Sequence, residues 1–173
     1  MKKLKNQKGF TLLEMLACIV TLLLLVGICT VGTDVAMNSY NRSMFESTSQ
    51  MLESTLNMYL GDIVRHSSLE LDTTVAGDEK PIEKITNPSL GIYNGRFELS
   101  GDGRIYIYKT DADPVSVMLL SEKVYTKALK IKDFELKYNE VEKYVTGSFT
   151  IESTVVADLK KTCDFKYRMV TGD

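Results

Sequence analysis

The stretch "KGFTLLEML", Lys8 to Leu16, sets one acid among apolar residues. Glu14 follows Leu12 and Leu13 and precedes Met15, Leu16, Ala17 and Cys18. From there the chain stays apolar to about Thr33, and between Phe10 and Thr33 Glu14 is the single charge. As a helix this run would span about 36 Å, more than the roughly 30 Å of a bilayer's hydrocarbon core. A carboxylate in that medium is costly unless something pairs with it, so an acid placed there marks function by default. "TLLE", Thr11 to Glu14, also fits a capping box, with Thr11 as the cap and Glu14 reaching back to the Thr11 amide.

Charge is distributed to match a membrane crossing. The chain has 173 residues, 21 basic and 23 acidic side chains and a formal charge of −2. Lys2, Lys3, Lys5 and Lys8 precede the apolar run, whereas Asp34 follows it and the next cation is Arg42. This asymmetry predicts a single pass, with the N-terminus in the cytoplasm and the C-terminal body outside. Without the four leading lysines the remainder holds 17 basic and 23 acidic residues, or −6. A body of that sign is a poor match for nucleic acid over its whole surface.

Other targeting readings fit less well. A cleavable secretory signal has a shorter apolar region that ends in small residues. Thr30-Val31-Gly32 meets that pattern loosely, but the run before it is too long and contains an acid. A lipoprotein reading needs a small residue before its cysteine: Ile28 precedes Cys29, and Ala17-Cys18 comes after too short an apolar stretch.

"KKLKNQKG" followed by "FTLLEML" closely resembles the prepilin signature of type IV pilins and of the pseudopilins of type II secretion and competence systems. That signature is a short basic leader ending in Gly, then Phe, with Glu at the fifth mature position. The resemblance implies cleavage by the prepilin peptidase between Gly9 and Phe10, and N-methylation of Phe10. It makes Glu14 an assembly contact: cleavage creates a charged amine on Phe10, and a neighbouring subunit shifted along the filament axis would present its own Phe10 amine to this Glu14. An axial step of four helical residues, about 6 Å, separates the two groups within one chain. Implied partners are other pilin or pseudopilin subunits, the prepilin peptidase and the assembly machinery in the membrane, with the assembled subunit at the cell surface. The resemblance covers about the first 35 residues. The body departs from the best-known pilins, which carry two C-terminal cysteines; here only Cys163 stands in that region.

Helical periodicity continues past the membrane run. Met37, Tyr40, Met44, Leu52, Leu56, Tyr59 and Ile63 recur at three- and four-residue steps, and Asn41, Arg42, Glu46, Gln50 and Glu53 occupy other positions. This pattern predicts an amphipathic helix ending near Arg65 and His66, where cations suit the dipole. Residues 67–91 lose the period and hold Pro81 and Pro88, so an irregular connection is expected, with room for a short strand. Beyond it the period falls to two. "RFELS" and "RIYIY" flank Gly101-Asp102-Gly103, a hairpin signal. "SVMLLSEKVY", Ser116 to Tyr125, reads as a buried strand, and "DFELKY", "GSFTIESTVV" and "CDFKYRMV" complete an antiparallel meander.

The expected fold is α+β: a long N-terminal helix packed on a C-terminal antiparallel sheet, a pilin-like roll. Its parts are a basic leader (1–9), a membrane and assembly half of the helix (10–33), an amphipathic half (34–66), a connecting loop (67–91) and a sheet domain (92–173).

No sequence motif for catalysis, phosphate binding or a metal cluster is found, so neither an enzyme nor a cofactor is expected. His66 is the sole histidine and has no ligand-spaced partner. Asp111 and Asp113 lack the further acids and glycine of a calcium loop and read as a turn. Two of the three cysteines, Cys18 and Cys29, lie about three turns apart on one helix and cannot bridge, and Cys163 reads as a small core residue. Lys123, Lys127, Lys130 and Lys132, with Lys160, Lys161, Lys166 and Arg168, would form a DNA-binding patch only if folding gathered them. Interleaved Glu122, Asp133 and Asp158 favour a solvated face instead. Two functions from different classes follow: a structural subunit, more in keeping with a minor than a major one, or a single-pass anchored extracellular binding domain that does not polymerise.

Overall fold

The computed structural model describes residues 11–110, 116–126 and 128–169. The chain divides into two compact units, Met1–Ser43 and Met44–Asp173. A 54-residue helix, α1 (Leu12–Arg65), begins in the first unit and continues into the second. It contains no proline, and its three glycines, Gly27, Gly32 and Gly61, are each about 1 kcal/mol less favourable than Ala. The hydroxyls of Thr21, Thr30 and Thr33 donate to the carbonyls of Ala17, Gly27 and Cys29 at 2.8–2.9 Å. These three threonine hydroxyls thus find partners within their own helix, as hydrocarbon requires. This stretch is long and apolar enough to cross a membrane.

In the second unit, eight antiparallel strands form one sheet in the order β5-β4-β3-β2-β6-β7-β8, with β1 paired to β2. The strands are β1 (Ser68–Leu71), β2 (Glu79–Asn87), β3 (Ile92–Leu99), β4 (Ile105–Tyr108), β5 (Ser116–Met118), β6 (Leu129–Asn139), β7 (Tyr144–Ser153) and β8 (Lys160–Arg168). Packing α1 on this sheet gives the expected α+β arrangement. Phe45, Leu52, Leu56, Leu60 and Ile63 of the helix share one core with Ile85, Ile105, Ile131, Phe149 and Ile151 of the sheet. Burying a side chain of this size is worth about 1.5–3 kcal/mol.

The expected hairpin forms where Leu99 faces Ile105, around a turn closed by the Gly103 amide donating to the Ser100 carbonyl at 2.9 Å. Gly103 stands at φ +78°, where glycine carries no Cβ penalty. The β6-β7-β8 meander is as expected: the β6–β7 register runs from Leu129↔Ser153 with one shift between Lys132 and Glu135, and the β7–β8 register runs unbroken from Tyr144↔Arg168. At the end of β6 the Asn139 side chain accepts the amides of Val141 and Glu142, which turns the chain into β7.

Three expectations need correction. Residues 67–91 are not a connecting loop: β1 and β2 lie there, and β2 joins β3 to β6. Only Ile85 and Asn87 of β2 are fully buried, and the register slips between them, so no clean alternation is written there. "SVMLLSEKVY" is a strand only over Ser116–Met118. Leu119 and Leu120 stay buried beyond the sheet edge, and the Tyr125 hydroxyl accepts the Ile105 amide at 3.1 Å.

The third correction concerns the helical stripe. Leu52, Leu56 and Ile63 face the core together with Phe45, Leu60 and Val64, but Met37, Tyr40, Met44 and Tyr59 are exposed. The apolar residues of α1 occupy two sides of the helix.

Candidate functional site

Gly9 and Phe10 lie outside the described residues, and so do Asp111, Asp113 and Lys127. Glu14 sits in the first turn of α1. The Thr11 amide donates to Glu14 Oε2 at 2.8 Å and the Thr11 hydroxyl donates to the same oxygen at 3.0 Å. In return the Glu14 amide donates to Thr11 Oγ1 at 3.3 Å. This reciprocal pair is the capping box that "TLLE" encodes, and it satisfies two amides that the helix start would otherwise leave bare. It fixes where the helix begins and leaves the carboxylate on an exposed turn. Capping fulfils the local chemistry of Glu14 without neutralising its charge, so an ion partner from another chain would add to the capping box without replacing it.

The basic residues are dispersed by acids. Lys130 and Lys132 both meet Glu152, at 3.6 and 3.0 Å. Lys161 meets Glu53 of α1 at 2.5 Å. Lys166 lies 3.6 Å from Glu142 with its ammonium 3.3 Å from the centre of the Tyr144 ring. Arg104 meets Asp102 and Glu122. Each of these cations thus sits beside an acid, Glu152, Glu142, Asp102 or Glu122 from the sheet unit or Glu53 from α1. His66 is exposed, its Nδ1 3.0 Å from the Asp62 carbonyl. Among the described residues no group of three or more His, Cys, Asp or Glu side chains is arranged to hold a metal.

Cys18 and Cys29 are exposed and Cys163 is buried, all three as free thiols. Burial pushes the Cys163 thiol up to about 11, and the nearby Glu53 carboxylate acts in the same direction. Burial likewise pushes Tyr125 and Tyr167 up to about 12. Each is an acid kept neutral by the fold, so its contribution to stability is present below its unfolded pKa, near 9.0 for the thiol and 10.0 for the phenols. As pH rises through about 11 to 12 the unfolded chain ionises more readily than the folded one, and that contribution is lost. Urea midpoints of the full chain in detergent should therefore decline between pH 9 and 12. Tyr167→Phe should flatten that decline; an unchanged slope would count against burial as the cause.

Sequence reasoning missed two features near α1. The Tyr167 hydroxyl donates to the Asn57 carbonyl at 2.9 Å, and the Tyr167 ring lies against Gly61, where an added Cβ would approach it to 3.1 Å. Both are tertiary contacts between residues over a hundred positions apart. The small residue at 61 and the alternation of β8 were their faint traces.

Residues 4–30 match the family model described as the prokaryotic N-terminal methylation motif. No curated protein and no solved structure matches the chain. The matched segment contains Gly9, Phe10 and Glu14 and runs through most of the apolar stretch. The chain carries the N-terminal methylation motif characteristic of type IV pilin and pseudopilin precursors.

Proposed function

We propose that this chain is a structural subunit, a minor pilin or pseudopilin, of a type IV pilus or a related secretion or competence pseudopilus. The observation that carries the reading is the methylation motif at residues 4–30, with Glu14 five positions into the segment that follows Gly9. The prepilin peptidase removes residues 1–9, Phe10 becomes the N-methylated first residue, and the apolar helix holds the subunit in the cytoplasmic membrane until assembly. Exposed Leu, Ile and Val side chains line Leu12 to Val31, a surface suited first to lipid and then to neighbouring helices. The body lies outside the membrane, as the lysine asymmetry directs.

Mass spectrometry of the full chain, made in cells with and without an active prepilin peptidase, tests this reading. The expected product begins at Phe10, with one added methyl group, only where the peptidase is active. An intact N-terminus in both strains would sink it. The Thr11–Glu14 capping box favours a second reading, because it accounts for Glu14 without a partner chain. On that view the protein is an anchored extracellular binding domain that does not polymerise, and it predicts the opposite result, an uncut leader in both strains.

A further inference from the structure

Among the described residues the β2–β3 ladder is the shortest in the sheet, with two register pairs, Ile85↔Gly95 and Asn87↔Ile92. Between those pairs β2 contributes Thr86 alone, whereas β3 contributes Tyr93 and Asn94. Two residues set against one make a β-bulge, which bends a strand and re-aims its side chains. Hydrogen bonds hold this bulge from both flanks. The Tyr93 amide donates to the Lys109 carbonyl at 2.7 Å. The Asn94 amide donates to Thr86 Oγ1 at 3.1 Å, and the Thr86 hydroxyl donates to Asn94 Oδ1 at 3.4 Å.

Asn94 is exposed and stands at φ +54°, a left-handed conformation that asparagine accepts better than most residues. Gly95 is buried, and a Cβ added there would run into the Tyr108 carbonyl and the Ile92 side chain. Each residue thus has its own reason to be present, Asn94 for the dihedral and Gly95 for the close approach of β4. Side by side they gain a reactivity that neither has alone. The backbone nitrogen after an asparagine attacks the side-chain amide most readily when it belongs to glycine, because no Cβ hinders ring closure. No other asparagine in the chain is followed by glycine.

We propose that Asn94-Gly95 is a self-modifying site, at which ring closure converts Asn94 to isoaspartate or aspartate and holds the β2–β3 seam open. The inference concerns the second unit alone and stands whether or not the chain enters a filament.

The Gly95 nitrogen adds to Asn94 Cγ, forming an N–C bond. The Cγ–Nδ2 bond then breaks, and ammonia leaves with the proton of the Gly95 amide. Water opens the resulting succinimide at one of its two carbonyls. Opening at the backbone carbonyl gives isoaspartate, and opening at the side-chain carbonyl gives aspartate. The net change consumes one water and releases one ammonia, with no oxidant or reductant. As the nitrogen adds, negative charge gathers on Asn94 Oδ1, the oxygen that the Thr86 hydroxyl already faces.

Gly95 pairs with Ile85, so the reaction waits for the seam to open. Two register pairs open more readily than the nine of β6–β7 or the nine of β7–β8. In isoaspartate the main chain runs through the former side-chain methylene and is longer by that group. Position 94 already carries the extra residue of the bulge. A further lengthening there prevents Gly95 from meeting Ile85 while Arg96 stays on Tyr108. Each opening therefore offers a change that closing does not undo, and altered molecules accumulate with age.

The test holds the full chain, folded in detergent, at mildly alkaline pH for several weeks, with peptide maps read by mass spectrometry. Asn94 should gain one mass unit, chiefly as isoaspartate, at least about tenfold faster than Asn139, whose side-chain oxygen accepts two amides. Hydrogen exchange on the aged chain should show protection lost around Ile85 and Gly95 and kept in β7 and β8. An Asn94→Gly chain keeps the dihedral but lacks the side-chain amide, so it should age without that loss. Asn94 left intact in the folded chain, while the same chain in urea converts, overturns the site. Isoaspartate with unchanged protection, or equal loss of protection in Asn94→Gly, overturns its effect on the seam.

Discussion

Glu14→Gln should be cleaved and inserted like wild type yet fail to enter filaments, with incorporation reduced about a hundredfold or more. The substitution separates the capping seen for this side chain from the charge pairing proposed for it. Glutamine serves at this position of a capping box as glutamate does, so the bonds from the Thr11 amide and hydroxyl to Oε2 can be kept. The helix start should therefore survive, and leader cleavage with it. What glutamine cannot supply is charge. On the proposed reading, the amine created at Phe10 of one subunit meets Glu14 of the next inside an apolar bundle, and removing one member of such a pair costs about 3–5 kcal/mol. A loss of about 2.7 kcal/mol is already a hundredfold. Immunoblots of sheared filaments against whole cells give the ratio directly. Glu14→Ala, which loses both capping and charge, should be no worse in incorporation but less helical at its N-terminus. If the Gln variant assembles normally while the Ala variant does not, Glu14 acts as a cap and the charge-pair idea fails.

That pair of variants also marks what the sequence could say about the site. The Thr11–Glu14 box is local, four residues from end to end, and its four-letter pattern specifies the bonds that form. The proposed counter-ion is not local in any sense, since on that reading it would belong to another chain after processing, and only a resemblance to known precursors suggests it. Helix and sheet were legible for the same reason as the box: periods of 3.6 and 2 are written directly into the chain. The inward face of α1 was harder to read. Met44 and Phe45 are adjacent, yet one is exposed and the other buried, because this helix has apolar residues on both sides. Periodicity alone cannot choose between two apolar faces; the sheet chooses, and it took the side of Phe45, Leu52, Leu56, Leu60 and Ile63. Strand β2 escaped for the opposite reason. Its charged residues and Pro81 read as a surface loop, while its place in the sheet depends on β1, β3 and β6 pairing around it.

The core itself gives the largest expected effect on stability. Phe149→Ala should destabilise the second unit by about 3–5 kcal/mol, a large share of the roughly 5–15 kcal/mol that holds an ordinary domain together. Phe149 is fully buried on β7, opposite Cys163 of β8, with the Phe165 ring centre 5.9 Å away. On the β6 side its neighbours Ser148 and Thr150 pair with Glu135 and Lys132, so Phe149 falls at the irregularity between those residues. A residue at such a break has no ladder partner there to close the gap, so truncation should leave a cavity that the strands cannot easily fill. Thermal unfolding of the full chain in detergent should shift down by roughly 10 °C or more. Val155→Ala, at an exposed position of the β7–β8 link, should shift it by no more than a degree or two. Leader cleavage of the Phe149→Ala chain should proceed normally, because the matched motif at residues 4–30 lies outside the second unit. A shift smaller than that of Val155→Ala would show that the sheet repacks around the missing ring and that the core is looser than its burial implies.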